Sequence, residues 1–182
     1  MTYPRDEDVR MMQMIRAGNI EMAYRIDGAA DRPDAPFVIL SNSLMSNHTM
    51  WDDTLPALTD KFRVLRYDTR GHGLTEVTPG PYSIALLSED LLALMDALNI
   101  DKAHLVGLSM GGMICSYVGA NFPDRVLSLG LCDTASEMPP RTMWEERMAM
   151  ARAQGIAGLA DGTIKRWFVA DLLREIPRKL RA

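Results

Sequence analysis

The chain has 182 residues, 47% of them hydrophobic and 24% charged, with a formal net charge of −4 at pH 7. That length suits about one domain burying roughly 70% of its unfolded surface, and the balance is that of an ordinary soluble globular protein. An acidic chain without a basic stripe argues against nucleic acid as a partner, no apolar run approaches the ~20 residues that span a bilayer, and the polar start Met1-Thr2-Tyr3-Pro4 has no apolar signal segment behind it, so a cytoplasmic location and no membrane partner are expected.

In chain order, residues 11–15 and 20–26 are apolar-rich runs separated by Arg16-Ala17-Gly18-Asn19, a turn signal, and are predicted to form an antiparallel hairpin. Pro33 and Pro36 mark a loop, after which Phe37-Val38-Ile39-Leu40 has the unbroken apolar character of a strand covered on both faces. Residues 50–59 form a predicted short helix interrupted at Pro56, and residues 62–67 the next strand. Across residues 83–98, Leu86, Leu87, Leu91, Leu94, Met95 and Leu98 recur as the apolar stripe of a helix.

A strand from Ala103, a helix from Met110 to about Asn121, a turn at Phe122-Pro123-Asp124 and a strand over residues 126–132 follow. Strands alternating with helices predict a mostly parallel sheet with function at the carboxyl ends of its strands, where Ser43-Leu44, residues 68–73 and Ser109 all fall. Beyond Asp133 the pattern becomes helical, over residues 140–154 and 156–168 with Gly155 as the break, and no strand is predicted after it. Two regions result, a core over residues 1–136 and a helical region over residues 137–182. Cys115 and Cys132 lack metal-ligand spacing and are expected to be reduced core thiols, and the 14 methionines read as core gap-fillers.

The run from Ala103 to Gly112 carries the chemistry. It reads as a strand entering a G-x-S-x-G turn, Gly107-Leu108-Ser109-Met110-Gly111, that opens a helix. The glycines remove Cβ atoms that would clash across so sharp a turn, and the helix start aims its N–H groups and positive dipole end at whatever Ser109 attacks. Ser109 is therefore the candidate nucleophile, and the Met110 N–H a candidate oxyanion donor. No phosphate-cradling glycine loop or ligand cluster is evident, so neither metal nor organic cofactor is expected.

Taken together, Ser41-Asn42-Ser43-Leu44 with Met50-Trp51-Asp52, Leu65 through Gly73 ending Asp68-Thr69-Arg70-Gly71-His72-Gly73, Gly107 through Gly112, and Leu131-Cys132-Asp133-Thr134-Ala135 resemble the α/β-hydrolase superfamily, and within it the 3-oxoadipate enol-lactonases of the β-ketoadipate branch of aromatic catabolism. The resemblance implies an α/β fold with a mostly parallel sheet, flanking helices, an N-terminal hairpin and a partial helical cap, its last strands missing. It adds the Leu44 N–H as the second oxyanion donor, Ser43, Trp51, Trp144 and Trp167 as candidate pocket residues, and a small lactone or ester as substrate. General carboxylesterases and perhydrolases share much of this pattern, and a non-catalytic scaffold is the alternative outside catalysis.

The same resemblance implies a histidine and an acid on loops after the last two strands, which have no counterpart here, so a truncated and impaired member is expected. Of the histidines present, His72 reads either as a base or as an organiser of its loop, His48 either as facing substrate from the oxyanion loop or as an exposed loop residue, and His104 as a satisfied sheet or core residue. Asp133 ends a strand from which an acid can be recruited, yet has no histidine beside it to orient. Asp68 and Arg70 are expected to pair beneath the site. Trp51 is expected to pack under the oxyanion loop, while Trp144, Trp167 and Phe168 form either the cap's apolar inner face or a plain helix-packing core. Residues 126–132 are expected to form an open hydrophobic sheet edge that favours self-association.

Overall fold

The computed structural model describes residues 12–29, 31–137 and 141–169; Met11, Pro140 and the stretch beyond 169, to which the sequence reading assigned a strand start, a helix start and an absence of strands, lie outside the described residues. The chain divides into two compact units with the boundary between Ser136 and Glu137. The larger unit holds a six-stranded sheet in the order β1-β2-β4-β3-β5-β6.

Its hairpin is β1 (Gln13–Ala17) and β2 (Ile20–Asp27), antiparallel, with Ala17 opposite Ile20. The turn is tighter than the four residues expected, because Arg16 and Ala17 stay in the ladder and only Gly18 (φ 59°) and Asn19 reverse the chain. Burial explains the shift: Ala17 and Ile20 both belong to the main core, and a longer turn would have pulled them out of it. β2 runs antiparallel to β4 (Arg63–Tyr67), while β3 (Phe37–Ser41) is parallel to both β4 and β5 (Ala103–Leu108). All five residues of β3 are buried, which is why that segment reads as unbroken apolar sequence. The short helix His48–Ala57 is 3₁₀ in form, opens on Asn47, whose side chain accepts from the Thr49 N–H, and contains Pro56.

Two helices of this unit pack on each other and on the sheet: α1 (Ile84–Ala97), capped by Ser83 accepting from the Leu86 N–H, and α2 (Met110–Asn121). Leu87, Leu91, Leu94 and Met95 of α1 join Ile114, Cys115 and Val118 of α2 and Ile39, Leu65 and Leu105 of the sheet in one core. A smaller cluster on the opposite face gathers Val38, Leu40, Val64 and Trp51. The last strand, β6 (Val126–Cys132), is parallel to β5 and forms the outer edge of the sheet. Leu127, Leu129 and Leu131 on it are 41–48% exposed, the open apolar edge expected from the sequence.

The smaller unit contains α3 (Arg141–Gln154), Gly155 at φ 72°, a 3₁₀ turn Ile156–Leu159 and α4 (Ala160–Trp167). The second helical segment is thus shorter than expected, because its first turn is wound as 3₁₀. No helix among the described residues is long and apolar enough to cross a membrane.

Two fold-level outcomes are expected. Burial pushes the Cys115 thiol up to about 12, whereas Cys132 is exposed on the edge strand, which corrects the reading of both cysteines as core thiols. A chromogenic disulfide reagent at pH 8 will titrate one thiol in the folded chain and both after denaturation; two fast thiols in the native state would contradict this packing. The second outcome concerns the start of α2, where a Cβ on Gly111 would lie 2.1 Å from the Ser41 carbonyl oxygen and one on Gly107 would lie 2.2 Å from the Gly111 oxygen. Gly111→Ala will therefore destabilise the fold by about 3 kcal/mol or more in urea unfolding, well above the usual cost of a surface change.

Candidate active site

In the order β4-β3-β5 the chain leaves β3 toward β4 on one side and returns to β5 on the other, so the carboxyl ends of β3 and β5 flank a topological switch point. Ligands of open α/β sheets bind in the crevice at such a point. The loop after β3 carries Ser43 and Leu44, and the turn after β5 carries Ser109 and Met110.

Ser109 has φ 53° and ψ −115°, a conformation few side chains tolerate, and its hydroxyl caps no N–H of the helix that follows. Contacts on either side hold the residue there. Its N–H donates to the Cys132 carbonyl at 3.0 Å, carrying the β5–β6 pairing one residue beyond the strand, and its carbonyl accepts from the Met113 N–H at 3.1 Å and from Thr134 Oγ1 at 2.7 Å. Met110 is the first residue of α2, so its N–H has no acceptor within the helix.

The opposing loop is built with equal care. Asn42 donates through Nδ2 to the Tyr67 carbonyl at 2.7 Å and accepts the Trp51 Nε1–H at 2.9 Å. Trp51 is 8% exposed and packs with Val38, Leu40 and Val64, so it supports the loop from below as a core residue rather than lining a pocket. The Ser43 N–H points at Met50 Sδ at 3.4 Å, and the Ser43 carbonyl accepts from Ser46 Oγ at 2.7 Å. Met45 adopts φ 64°, and its N–H donates to His72 Nε2 at 3.1 Å.

All three histidines of the chain are accounted for. His72 Nδ1 faces the Arg70 carbonyl at 3.1 Å, which can only accept, so Nδ1 carries the proton and Nε2 is the acceptor for Met45; His72 organises its loop. His48 is 3% exposed, not an exposed loop residue as expected, because its Nδ1 donates to the buried Asp68 carboxylate at 3.0 Å. His104 bonds Ser128 Oγ at 2.8 Å and meets the Phe62 ring edge-on, a satisfied sheet residue.

The expected Asp68–Arg70 pair is absent. Donors from the loops, the His48 N–H at 2.9 Å and the Leu74 N–H at 2.9 Å besides the His48 ring, fill the Asp68 carboxylate. Arg70 instead grips Asp90 of α1 with two bonds of 2.7 and 2.5 Å, and that carboxylate holds the guanidinium above its usual pKa despite burial. Asp90 could have been noticed as the acid on the apolar face of α1, one turn from Leu87 and Leu94. Burial pushes the Tyr67 phenol well up, so it stays neutral and shares a hydrogen bond of 2.7 Å with Ser41 Oγ. Asp133, at φ 41° past β6, is exposed.

Ser43, Leu44, Ser109 and Met110 thus converge at the ends of adjacent strands, whereas Trp144 and Trp167 belong to the smaller unit. There Arg147 stacks over the Trp144 ring at 5.0 Å, Trp144 Nε1 and Thr163 Oγ1 are buried without a hydrogen-bond partner, Phe168 is half-buried and Trp167 is 39% exposed. Burial first, and then the neighbouring Arg166 charge, lowers the Arg147 pKa.

Comparison with known proteins agrees with this geometry. The family described as alpha/beta hydrolase fold matches residues 36–181. The chain is 35% identical over 163 residues to 3-oxoadipate enol-lactonase 2 of Acinetobacter baylyi, covering 90% of this chain and 60% of that protein. Among solved structures, the enol-lactonase from Burkholderia xenovorans LB400 superposes with a TM-score of 0.88 at 42% identity, covering 92% of this chain and 64% of that one. A thermophilic esterase from Thermogutta terrifontis superposes with a TM-score of 0.80 at 28% identity, over 93% of this chain and 63% of its own. The chain spans about 60% of the length of these relatives. With the family match covering most of its residues and the serine elbow in place at the switch point, the chain belongs to the α/β-hydrolase family.

Proposed function

We propose that Ser109 is the nucleophile of a lactone or ester hydrolase, and that the substrate is an enol-lactone of the 3-oxoadipate type. The observation that carries this reading is the Ser109 backbone, held at φ 53° at the switch point beside the Met110 N–H. Ser109 Oγ attacks the lactone carbonyl carbon and its proton passes to a solvent water. The carbonyl oxygen becomes an oxyanion facing the Met110 and Leu44 N–H groups, each worth on the order of 3 kcal/mol at the transition state. The ring C–O bond then breaks, the enol oxygen leaves and takes a proton, and water releases the opened acid from Ser109. The 35% identity over 163 residues to 3-oxoadipate enol-lactonase 2 of Acinetobacter baylyi supports an enol-lactone over a simple ester.

Among the described residues no imidazole hydrogen-bonds the Ser109 hydroxyl, His48, His72 and His104 bonding Asp68, Met45 and Ser128 instead, so the reading includes weak turnover, about a millionfold below a hydrolase with an imidazole beside its serine. The same observation favours, as the second reading, a scaffold that binds without catalysis.

Intact mass after exposure to a fluorophosphonate probe separates the two. The expected result is slow gain of one phosphonyl group, lost in Ser109→Ala, with enol-lactone preferred over p-nitrophenyl esters. A folded chain that gains no adduct, or gains it equally in Ser109→Ala, overturns the nucleophile; preference for the simple esters favours a general carboxylesterase or perhydrolase. The open β6 edge further supports association between copies, so light scattering should give a concentration-dependent mass above 20.3 kDa; a constant monomer mass would speak against it.

A further inference from the structure

Two N–H groups proposed to hold the oxyanion, those of Met110 and Leu44, each belong to a peptide unit whose other end is a carbonyl. The carbonyl joined to the Met110 N–H is that of Ser109, and it accepts from Thr134 Oγ1 at 2.7 Å. The carbonyl joined to the Leu44 N–H is that of Ser43, and it accepts from Ser46 Oγ at 2.7 Å. The two arrangements match although the residues come from unrelated parts of the chain, the start of the segment after β6 in one case and the loop after β3 in the other.

We propose that Thr134 and Ser46 are positioning residues for the oxyanion site, each gripping the carbonyl end of a peptide whose N–H end faces the substrate. The inference rests on the reading of Ser109 as nucleophile. A trans peptide is planar, so fixing its C=O direction fixes the direction of its N–H. Without the Thr134 bond, the Ser109–Met110 peptide would be anchored only by the Met113 N–H at 3.1 Å. Without the Ser46 hydroxyl, the Ser43–Leu44 peptide would keep only the longer turn bond from the Ser46 N–H at 3.3 Å. Donation to the carbonyl also polarises the amide and makes its N–H a stronger donor, the cooperative effect of hydrogen-bond chains.

Each hydroxyl is itself fixed in place. Thr134 packs so closely on α2 that a Cβ at Gly112 would lie 2.6 Å from its Cβ and Cγ2. Ser46 Oγ lies 3.0 Å from Met50 Sδ, the same sulfur that faces the Ser43 N–H. A hydroxyl has one proton to give, and the shorter contact to the carbonyl takes it.

The test uses Thr134→Val and Ser46→Ala, with Thr134→Ser and Ser46→Thr as rescues that keep the hydroxyl. Two quantities are read in each, the second-order rate of Ser109 phosphonylation and the ¹³C′ and ¹⁵N shifts of the two peptide units. Thr134→Val is expected to slow phosphonylation on the order of tenfold, less than deleting a donor outright, and to move the Ser109 ¹³C′ and Met110 ¹⁵N signals while leaving those of Ser43 and Leu44 in place. Ser46→Ala should do the converse, the double variant should lose on the order of a hundredfold if the grips act independently, and both rescues should restore rate and shifts. A residue that only stabilised the fold would lower the melting temperature without this peptide-by-peptide pattern. Unmoved shifts in Thr134→Val and Ser46→Ala, or moved shifts with a wild-type rate, overturn the proposal. If the wild-type chain does not phosphonylate at all, the nucleophile reading fails and the positioning inference falls with it, whereas a reactive wild type with unmoved shifts fails the inference alone.

Discussion

The site depends on β5 being held between two neighbours at its carboxyl end. On one side β3 pairs with it through Ser41 opposite Gly107, and on the other β6 pairs through Cys132 opposite Leu108. The Ser109 N–H extends the second pairing by one bond, and the start of α2 lies against the Ser41 carbonyl at a distance no Cβ would permit. A serine forced to positive φ costs on the order of 1–3 kcal/mol and persists only when its surroundings over-determine it. Here three strands and a helix do so at once, and no helix N–H captures the hydroxyl.

Beneath the two loops the charged residues are matched in groups, two of them joined through His48, whose N–H and ring bond Asp68 while its carbonyl accepts from Arg66. Asp68 collects donors from the His48 and Leu74 segments, Arg70 ties the loop after β4 to α1 through Asp90, and Arg66 reaches Asp27, Asp52 and the His48 carbonyl from the middle of β4. Asp68, Arg66, Arg70 and Asp90 are buried, and a buried charge without a partner costs several kcal/mol, so each is matched, Arg66 in part by the exposed Asp52. Two imidazoles tie these loops together: the lone pair of His72 accepts from the Met45 N–H, and His48 donates its Nδ1 proton to Asp68.

The β6 edge shows how architecture and site share one element. The strand is half open, with leucines 127, 129 and 131 only partly covered, yet its end supplies both the Cys132 carbonyl and the Thr134 hydroxyl that hold Ser109. The Cys132 side chain is exposed for the same reason that its carbonyl is important: it sits at the last position of an outer strand.

Much of this was readable from local sequence. The unbroken apolar run at 37–40 follows from burial on both faces, the stripe on α1 from helical period, and the elbow from glycine spacing around a serine, because each of these signals is a property of consecutive residues. The hairpin is legible with its second strand starting at Ile20, but its turn is two residues shorter than the sequence signal, since two or four residues could close it until the core claims Ala17 and Ile20. What no local pattern held was the choice of partners. That Arg70 pairs with Asp90 and not Asp68, that His48 is buried, that Cys132 is exposed, and that Ser46 and Thr134 donate to the Ser43 and Ser109 carbonyls all depend on contacts between segments distant in sequence or between a side chain and a backbone carbonyl. Residue types and their spacing determined which groups could do chemistry; the packing of β3, β5, β6 and α2 decided where each one points, because a hydrogen bond is set by distance and angle in space and not by separation along the chain.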